Sequence, residues 1–155
     1  MSSRRYRFRL LNGCNARFLE LRLADSTSHR PGPAFWQIGT DGGLLDQPIA
    51  LSEPGARRLV LSPAARADLI IDFAGFEGRT LILLNSANAP FPSGDAPDPE
   101  TNGQVMQFRV SLPLPGMDSS FDPARPGATL RGGPDQASAI VRLALPGLWA
   151  PSHRE

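Results

Sequence analysis

Apolar and polar residues alternate through the first two thirds of the chain with the two-residue period of strands that bury one face. Arg5-Tyr6-Arg7-Phe8-Arg9-Leu10 opens the pattern, sending Tyr6, Phe8 and Leu10 to one face and three guanidiniums to the other. A turn-like Asn12-Gly13-Cys14-Asn15 follows, and then Leu19, Leu21 and Leu23 alternate with Glu20 and Arg22 in a second strand, a short helix over residues 15–23 being the weaker alternative. Trp36 and Ile38 lead into Gly39-Thr40-Asp41-Gly42-Gly43, where Asp-Gly predicts a tight turn tolerant of positive φ, so this stretch reads as strand, turn, strand. Leu59-Val60-Leu61 is a brief apolar run closed by Ser62-Pro63, and Leu69, Ile71 and Phe73 then alternate with Asp68 and Asp72. Thr80 to Leu84 is apolar on both faces, as a central strand requires, while Met106, Phe108 and Val110 alternate with Gln107 and Arg109. All these strand candidates fall between residues 5 and 110. Short strands separated by turn chemistry predict a two-sheet sandwich or a barrel.

Composition strengthens this reading. Sixteen Pro and fifteen Gly in 155 residues interrupt helices too often for a bundle. The length suits one domain with a buried core and falls short of two. The stretch from Ala89 to Gly103 is rich in Pro, Asp and Gly and predicts an exposed loop. Beyond Val110 the character changes: eleven of the sixteen prolines follow residue 86, and Ser111 to Pro134 offers little to bury, which is the composition of a mobile linker. Ile140 to Leu145 is one more strand-like run, read as the opening of a further domain. The division expected is a sandwich domain over 1–112, a linker over 113–138 and the truncated start of a following domain over 139–155.

Charge and reactive side chains narrow the function classes. No apolar run approaches the ~18 residues that span a bilayer, so no membrane partner is expected. All sixteen basic residues are Arg, and fifteen acids leave a net charge of +1, too small a field to recruit nucleic acid. Arg4 to Arg9 interleaves guanidiniums with aromatics, but in a strand the two sets point to opposite faces and form no stacking surface. Met1 is followed at once by Ser-Ser-Arg-Arg, with no segment of signal-peptide type, and the compartment is left open. Cys14, the single cysteine, cannot form an internal disulfide, and no histidine close in sequence serves it as a base, so it reads as a small residue packed at a turn. His29 and His153 lie far apart and read as surface loop residues. A type 1 copper site needs two His and a Cys thiolate, and this inventory supplies that trio only by using every such residue from three distant segments. Hydrolase, nucleotide-triphosphatase and dinucleotide-binding motifs are absent. Gly39 to Gly43 is a hairpin turn more economically than an anion cradle, and Arg66 and Asp68 share a strand face where they pair with each other or across the sheet. No catalytic, cofactor-binding or metal-binding residue is expected on this chain.

Four segments read in order carry a resemblance. Tyr6-Arg7-Phe8-Arg9-Leu10-Leu11-Asn12-Gly13-Cys14-Asn15-Ala16-Arg17, Trp36-Gln37-Ile38-Gly39-Thr40-Asp41-Gly42-Gly43-Leu44-Leu45, Leu61 to Phe73 and Gln104 to Val110 resemble the second, middle cupredoxin domain of three-domain multicopper oxidases. The nearest branch holds spore-coat laccase, bilirubin oxidase and phenoxazinone synthase. Ala139 to Leu145 and Gly147-Leu148-Trp149-Ala150-Pro151 look like the link to the third domain and its first strand. The resemblance implies an all-β Greek-key sandwich of cupredoxin type with a Pro/Gly-rich C-terminal extension. It implies that copper belongs to the outer domains of the parent, held there by His-x-His pairs and a His-rich set with Cys, and that the middle domain is a metal-free spacer. The intact parent would couple oxidation of phenol-like or bilirubin-like donors to reduction of O₂ to water, and this chain alone would be inactive. The partners implied are the remaining cupredoxin domains, or further copies of the chain through uncovered interdomain faces. A stand-alone binding module is the alternative.

Overall fold

The computed structural model describes residues 1–51, 58–114 and 116–131. Among them are eight strands: β1 (Arg5–Leu11), β2 (Leu19–Asp25), β3 (Phe35–Thr40), β4 (Gly43–Leu51), β5 (Leu59–Leu61), β6 (Arg66–Asp72), β7 (Thr80–Asn85) and β8 (Gln104–Arg109). They form two four-stranded antiparallel sheets, in the orders β1-β6-β3-β4 and β5-β2-β7-β8. The chain moves between the sheets at β1 to β2, β2 to β3, β4 to β5, β5 to β6 and β6 to β7. The result is a Greek-key β-sandwich of cupredoxin type. No described helix is long and apolar enough to cross a membrane.

Strand alternation explains which side chains fill the sandwich. Leu21 and Leu23 of β2, Leu69 and Ile71 of β6, Leu81 and Leu83 of β7 and Phe108 of β8 meet in one buried cluster. Tyr6 and Phe8 of β1 pack against that cluster, while Arg7 and Arg9 stay exposed, as the alternation requires. Thr80–Asn85 is indeed central in its sheet, with Leu81 and Leu83 turned inward. No helix forms over residues 15–23, because the alternating leucines of β2 register against both Leu59–Leu61 and Leu81–Asn85.

The return strand expected after the Gly39 to Gly43 turn is present as β4, which pairs with β3 from Phe35↔Leu51 to Thr40↔Gly43 although Asp46, Gln47 and Pro48 occupy its middle; the turn itself differs in one respect. In the tight turn between them the positive φ falls at Gly43 (109°), one residue beyond the Asp41-Gly42 pair that predicted it. A turn whose last residue takes the left-handed conformation feeds a bulge, and the β3 pairings shift register between Gln37 and Gly39.

The stretch predicted as a loosely held linker is also placed differently over its described part. Residues 116–131 run along the first sheet, with Pro123 and Ala128 buried. The strand expectation for Ile140 to Leu145 lies outside the described residues.

Candidate functional site

The residues able to bind metal or act as nucleophiles are few, and the fold keeps them apart. Cys14 is exposed in the turn after β1, where its N–H donates to Asn12 Oδ1 at 3.0 Å. His29 lies beyond the opposite end of β2, in a turn closed by its N–H donating to the Asp25 carbonyl at 3.0 Å. Between the turn that holds Cys14 and the turn that holds His29 stand the seven residues of β2, roughly 20 Å of strand. A shared copper would need Cys14 and His29 ligands about 2 Å from one ion, so the two do not fit a type 1 site. His153 lies outside the described residues. Among the described residues no group of three or more His, Cys, Asp or Glu is arranged to hold a metal ion.

Asn12, which sequence reading treats only as a turn residue, organises the end of the sandwich that carries Cys14. It is fully buried. Its Nδ2 donates to the carbonyls of Arg17 at 2.8 Å and Leu61 at 3.0 Å, and Oδ1 accepts from Cys14. Its backbone exchanges bonds with Ala65 and Ala64. One side chain thereby ties β1, the loop into β2 and the β5–β6 turn. Asn85 does similar work nearby, with Oδ1 accepting from the N–H groups of Glu20 and Ala87 and Nδ2 donating to Asn102 O. A buried amide is the economical choice at both places, because it offers donors and an acceptor without charge.

The basic strand is neutralised on its own face. Arg7 makes a bidentate pair with Asp68 across the β1–β6 ladder, its Nε at 2.7 Å from Oδ1, and Arg9 reaches the same carboxylate at 3.9 Å. Arg66 pairs not with Asp68 but with Asp41 of the β3–β4 turn, through both its backbone N–H and its Nε. The hydrogen bonds from Arg7 and Arg66 hold the carboxyls of Asp68 and Asp41, respectively, below the usual range. Gly39 to Gly43 is therefore a hairpin whose acid faces an arginine, not an anion cradle. The aromatics of β1 lie on the opposite face, with Tyr6 6.0 Å and Phe8 6.4 Å from Phe73 between ring centres.

Asp25 caps the turn that contains His29. Its Oδ1 accepts from the N–H groups of Ser28 at 2.7 Å and Thr27 at 3.0 Å, and Arg79 lies 3.3 Å from Oδ2. The N–H groups of Ser28 and then Thr27 pull the Asp25 carboxyl from its ordinary 3.8 down to about 2. A carboxyl that is more acidic in the folded chain stabilises it above the unfolded value and loses that contribution as pH falls through the folded one. The stability difference between the native chain and Asp25→Asn should therefore shrink between about pH 4 and pH 2. Urea unfolding at a series of pH values checks this; a difference that stays constant across that window refutes it.

The two outer faces of the sandwich differ. On the second sheet, Val60, Ile82 and Leu84 point away from the core, and at the register shift in β8 Val105 is exposed. Nearby, Phe18 and Phe91 stack at 4.6 Å with Phe91 partly exposed. The outer face of the first sheet carries the Arg–Asp ladder, with Arg7 and Arg9 exposed, and residues 116–131 are bonded at its two edges, to Arg5 and to Asp46.

This arrangement defines a cupredoxin-type sandwich. No family model matches the chain. It is 43% identical over 120 residues to the laccase of Bacillus subtilis (strain 168), an alignment spanning 77% of this chain and 20% of that protein. It is 34% identical over 140 residues to the laccase of Haloferax volcanii, spanning 89% of this chain and 22% of that one. Among solved structures, the McoA multicopper oxidase of the hyperthermophile Aquifex aeolicus superposes with a TM-score of 0.59 at 30% identity, over 77% of this chain and 24% of that chain. The laccase-like multicopper oxidase CueO of Ochrobactrum sp. gives 0.56 at 27% identity, over 79% and 22%. The chain belongs to the multicopper oxidase family, as a cupredoxin domain of the laccase-like kind, and it spans about a fifth of the length of these curated relatives.

Proposed function

We propose that the chain serves as the metal-free middle domain of a multicopper oxidase, a spacer that holds copper-bearing neighbours in place. The observation that carries this reading is the separation of Cys14 from His29 by the length of β2, which supports it because type 1 copper requires two His and a Cys thiolate on one ion. Copper therefore belongs to the parent's other domains, and no redox step runs through this chain. The parent couples oxidation of phenol-like or bilirubin-like donors to reduction of O₂ to water. Support for phenolic donors comes from the laccase relatives and from the Ochrobactrum enzyme, described as having oxidase activity towards lignin model compounds and lignosulfonate.

The partners of this reading are the remaining cupredoxin domains, docked on the outer face of the second sheet. Exposed Val60 and Val105 support that choice, because apolar side chains grouped on one sheet gain stability from being covered. In the chain by itself the same face is where copies would self-associate. The division into a sandwich over 1–112, a linker over 113–138 and the start of a following domain over 139–155 belongs to the same proposal.

The test is metal loading. Purified chain treated with excess Cu(II) and then freed of unbound metal should retain copper far below one ion per chain, show no intense blue thiolate band, and oxidise a phenolic dye no faster than copper alone. Stoichiometric copper with a blue band, or turnover above that control, defeats the spacer reading and makes Cys14 the first residue to substitute.

A further inference from the structure

We infer that residues 116–131 are a strap, clasped at Arg5, that covers the apolar part of the first sheet's outer face around Ile70 and Ile38 and denies it to other proteins. The starting point is an anomaly on β6. Leu69 and Ile71 belong to the core, so Ile70 between them points outward, as does its ladder partner Trp36 on β3. Ile70 is nevertheless only 7% exposed, and Ile38, further along β3 and likewise outside the core cluster, only 4%. Something covers them. The described segment placed to do so is 116–131, which has its own buried residues Pro123 and Ala128 and is fixed at both edges of the sheet.

At the β1 edge the Arg5 N–H donates to Asp118 Oδ2 at 2.8 Å, its Nε to the same oxygen at 3.3 Å, and its Nη2 to the Asp118 carbonyl at 3.1 Å. Asp122 lies 3.3 Å from Arg5 Nη1, and Arg4 lies 3.5 Å from Asp118 Oδ1. At the β4 edge the Leu130 N–H donates to the Asp46 carbonyl at 2.9 Å, and Arg131 reaches Leu44 O and the Asp46 carboxylate. The strap thus crosses all four strands, in the order β1-β6-β3-β4.

The two fastenings are unequal. The Arg5 and Asp118 side chains are 14% and 12% exposed, so their charged hydrogen bonds are weakly screened, and removing the Asp118 carboxylate takes the acceptor from the Arg5 N–H and leaves its guanidinium only Asp122 and the more distant Asp72 as charged partners. Arg131 and Asp46 stand in solvent, where an ion pair contributes little. Opening therefore starts at the Arg131 end and is resisted at Asp118, and a strap freed at Asp118 turns a sealed sheet into a second sticky face. This holds whether or not the spacer reading does, since it concerns the other sheet and no copper.

The experiment places a thiol under the strap: Ile70→Cys in a Cys14→Ser background, so that the introduced thiol is the only one. Its labelling by a soluble maleimide should be slow, at least tenfold faster when Asp118→Ala is added, and changed twofold or less by Arg131→Ala. Light scattering should show larger species for the Asp118→Ala chain alone. Equal labelling in the presence and absence of Asp118→Ala, with the β-sheet circular dichroism intact, overturns the inference. Hydrogen exchange on the unaltered chain decides even where that variant fails to fold: the Ala128 and Leu130 amides should exchange at least tenfold more slowly than in an unstructured peptide. Exchange at the free-peptide rate overturns it.

Discussion

Asn12→Ala should destabilise the chain by about 3 kcal/mol, and Asn12→Asp by more, on the order of 5 kcal/mol at neutral pH. Truncation leaves two buried carbonyls, Arg17 O and Leu61 O, and the Cys14 N–H without their partner. Each unsatisfied group costs roughly 1–3 kcal/mol before relaxation and water entry reduce it. The aspartate keeps the acceptor for Cys14 but aims a second oxygen, charged, at two carbonyl oxygens. Protonation relieves that repulsion and restores one donor, so the folded pKa of the new carboxyl lies above its unfolded value. Its penalty is then greatest at neutral pH and shrinks as pH falls through the folded value. Against a total of ~5–15 kcal/mol for a typical domain, either change is large. Urea unfolding monitored by circular dichroism gives both numbers, and a loss below about 1 kcal/mol for Asn12→Ala would show that Asn12 is not the joint described here.

Neither buried asparagine was legible in the sequence. Asn12 sits in a segment whose composition signals a turn, and composition does not distinguish a turn residue that faces water from one that closes three pieces of backbone at once. Its partners show why: Leu61 lies 49 positions away. The strands were legible because alternation is local, and each buried face needed only its own neighbours to declare it. At β4 the Asp-Gly turn chemistry announced a return strand, and pairing with β3 carries that strand past Asp46, Gln47 and Pro48.

The strap is the instructive miss. Residues 111–134 read as linker because they bury little for their length, and that remains true of most of their side chains. What holds 116–131 is a set of polar anchors 113 positions from Arg5 and 87 from Leu44, which no window along the chain can see. One local sign was present. Leu69-Ile70-Ile71 is apolar without a break, and a strand apolar on both faces must be covered on both. Attending only to Leu69, Ile71 and Phe73 hides that requirement. Of Cys14 and His29 the sequence says only that they exist, and the fold adds that the length of β2 stands between their turns.

Phe73→Ala should cost about 3–5 kcal/mol, the range for truncating a fully buried aromatic. Phe73 is 0% exposed and follows the end of β6, in the first sheet. Its ring lies 6.0 Å from Tyr6 and 6.4 Å from Phe8 on β1, and 5.5 Å from Phe108 on β8 of the second sheet. Phe8 and Phe108 meet edge-on at 5.4 Å, so the rings form a junction between the sheets. Edge-to-face pairs add ~0.5–1.5 kcal/mol each beyond burial, and a void here takes contacts from both layers. Phe73→Leu keeps most of the volume and loses the ring geometry, so it should cost about half as much. At ~3 °C per kcal/mol for a chain of this size, Phe73→Ala lowers the midpoint of thermal unfolding by about 10–15 °C. If calorimetry finds the alanine and leucine variants equally stable, volume at the junction does not matter and the sheets are joined elsewhere. A leucine variant that loses about half as much as the alanine variant while keeping most of the volume, with the sandwich still formed, shows that the ring contacts between the sheets matter beyond the space they fill.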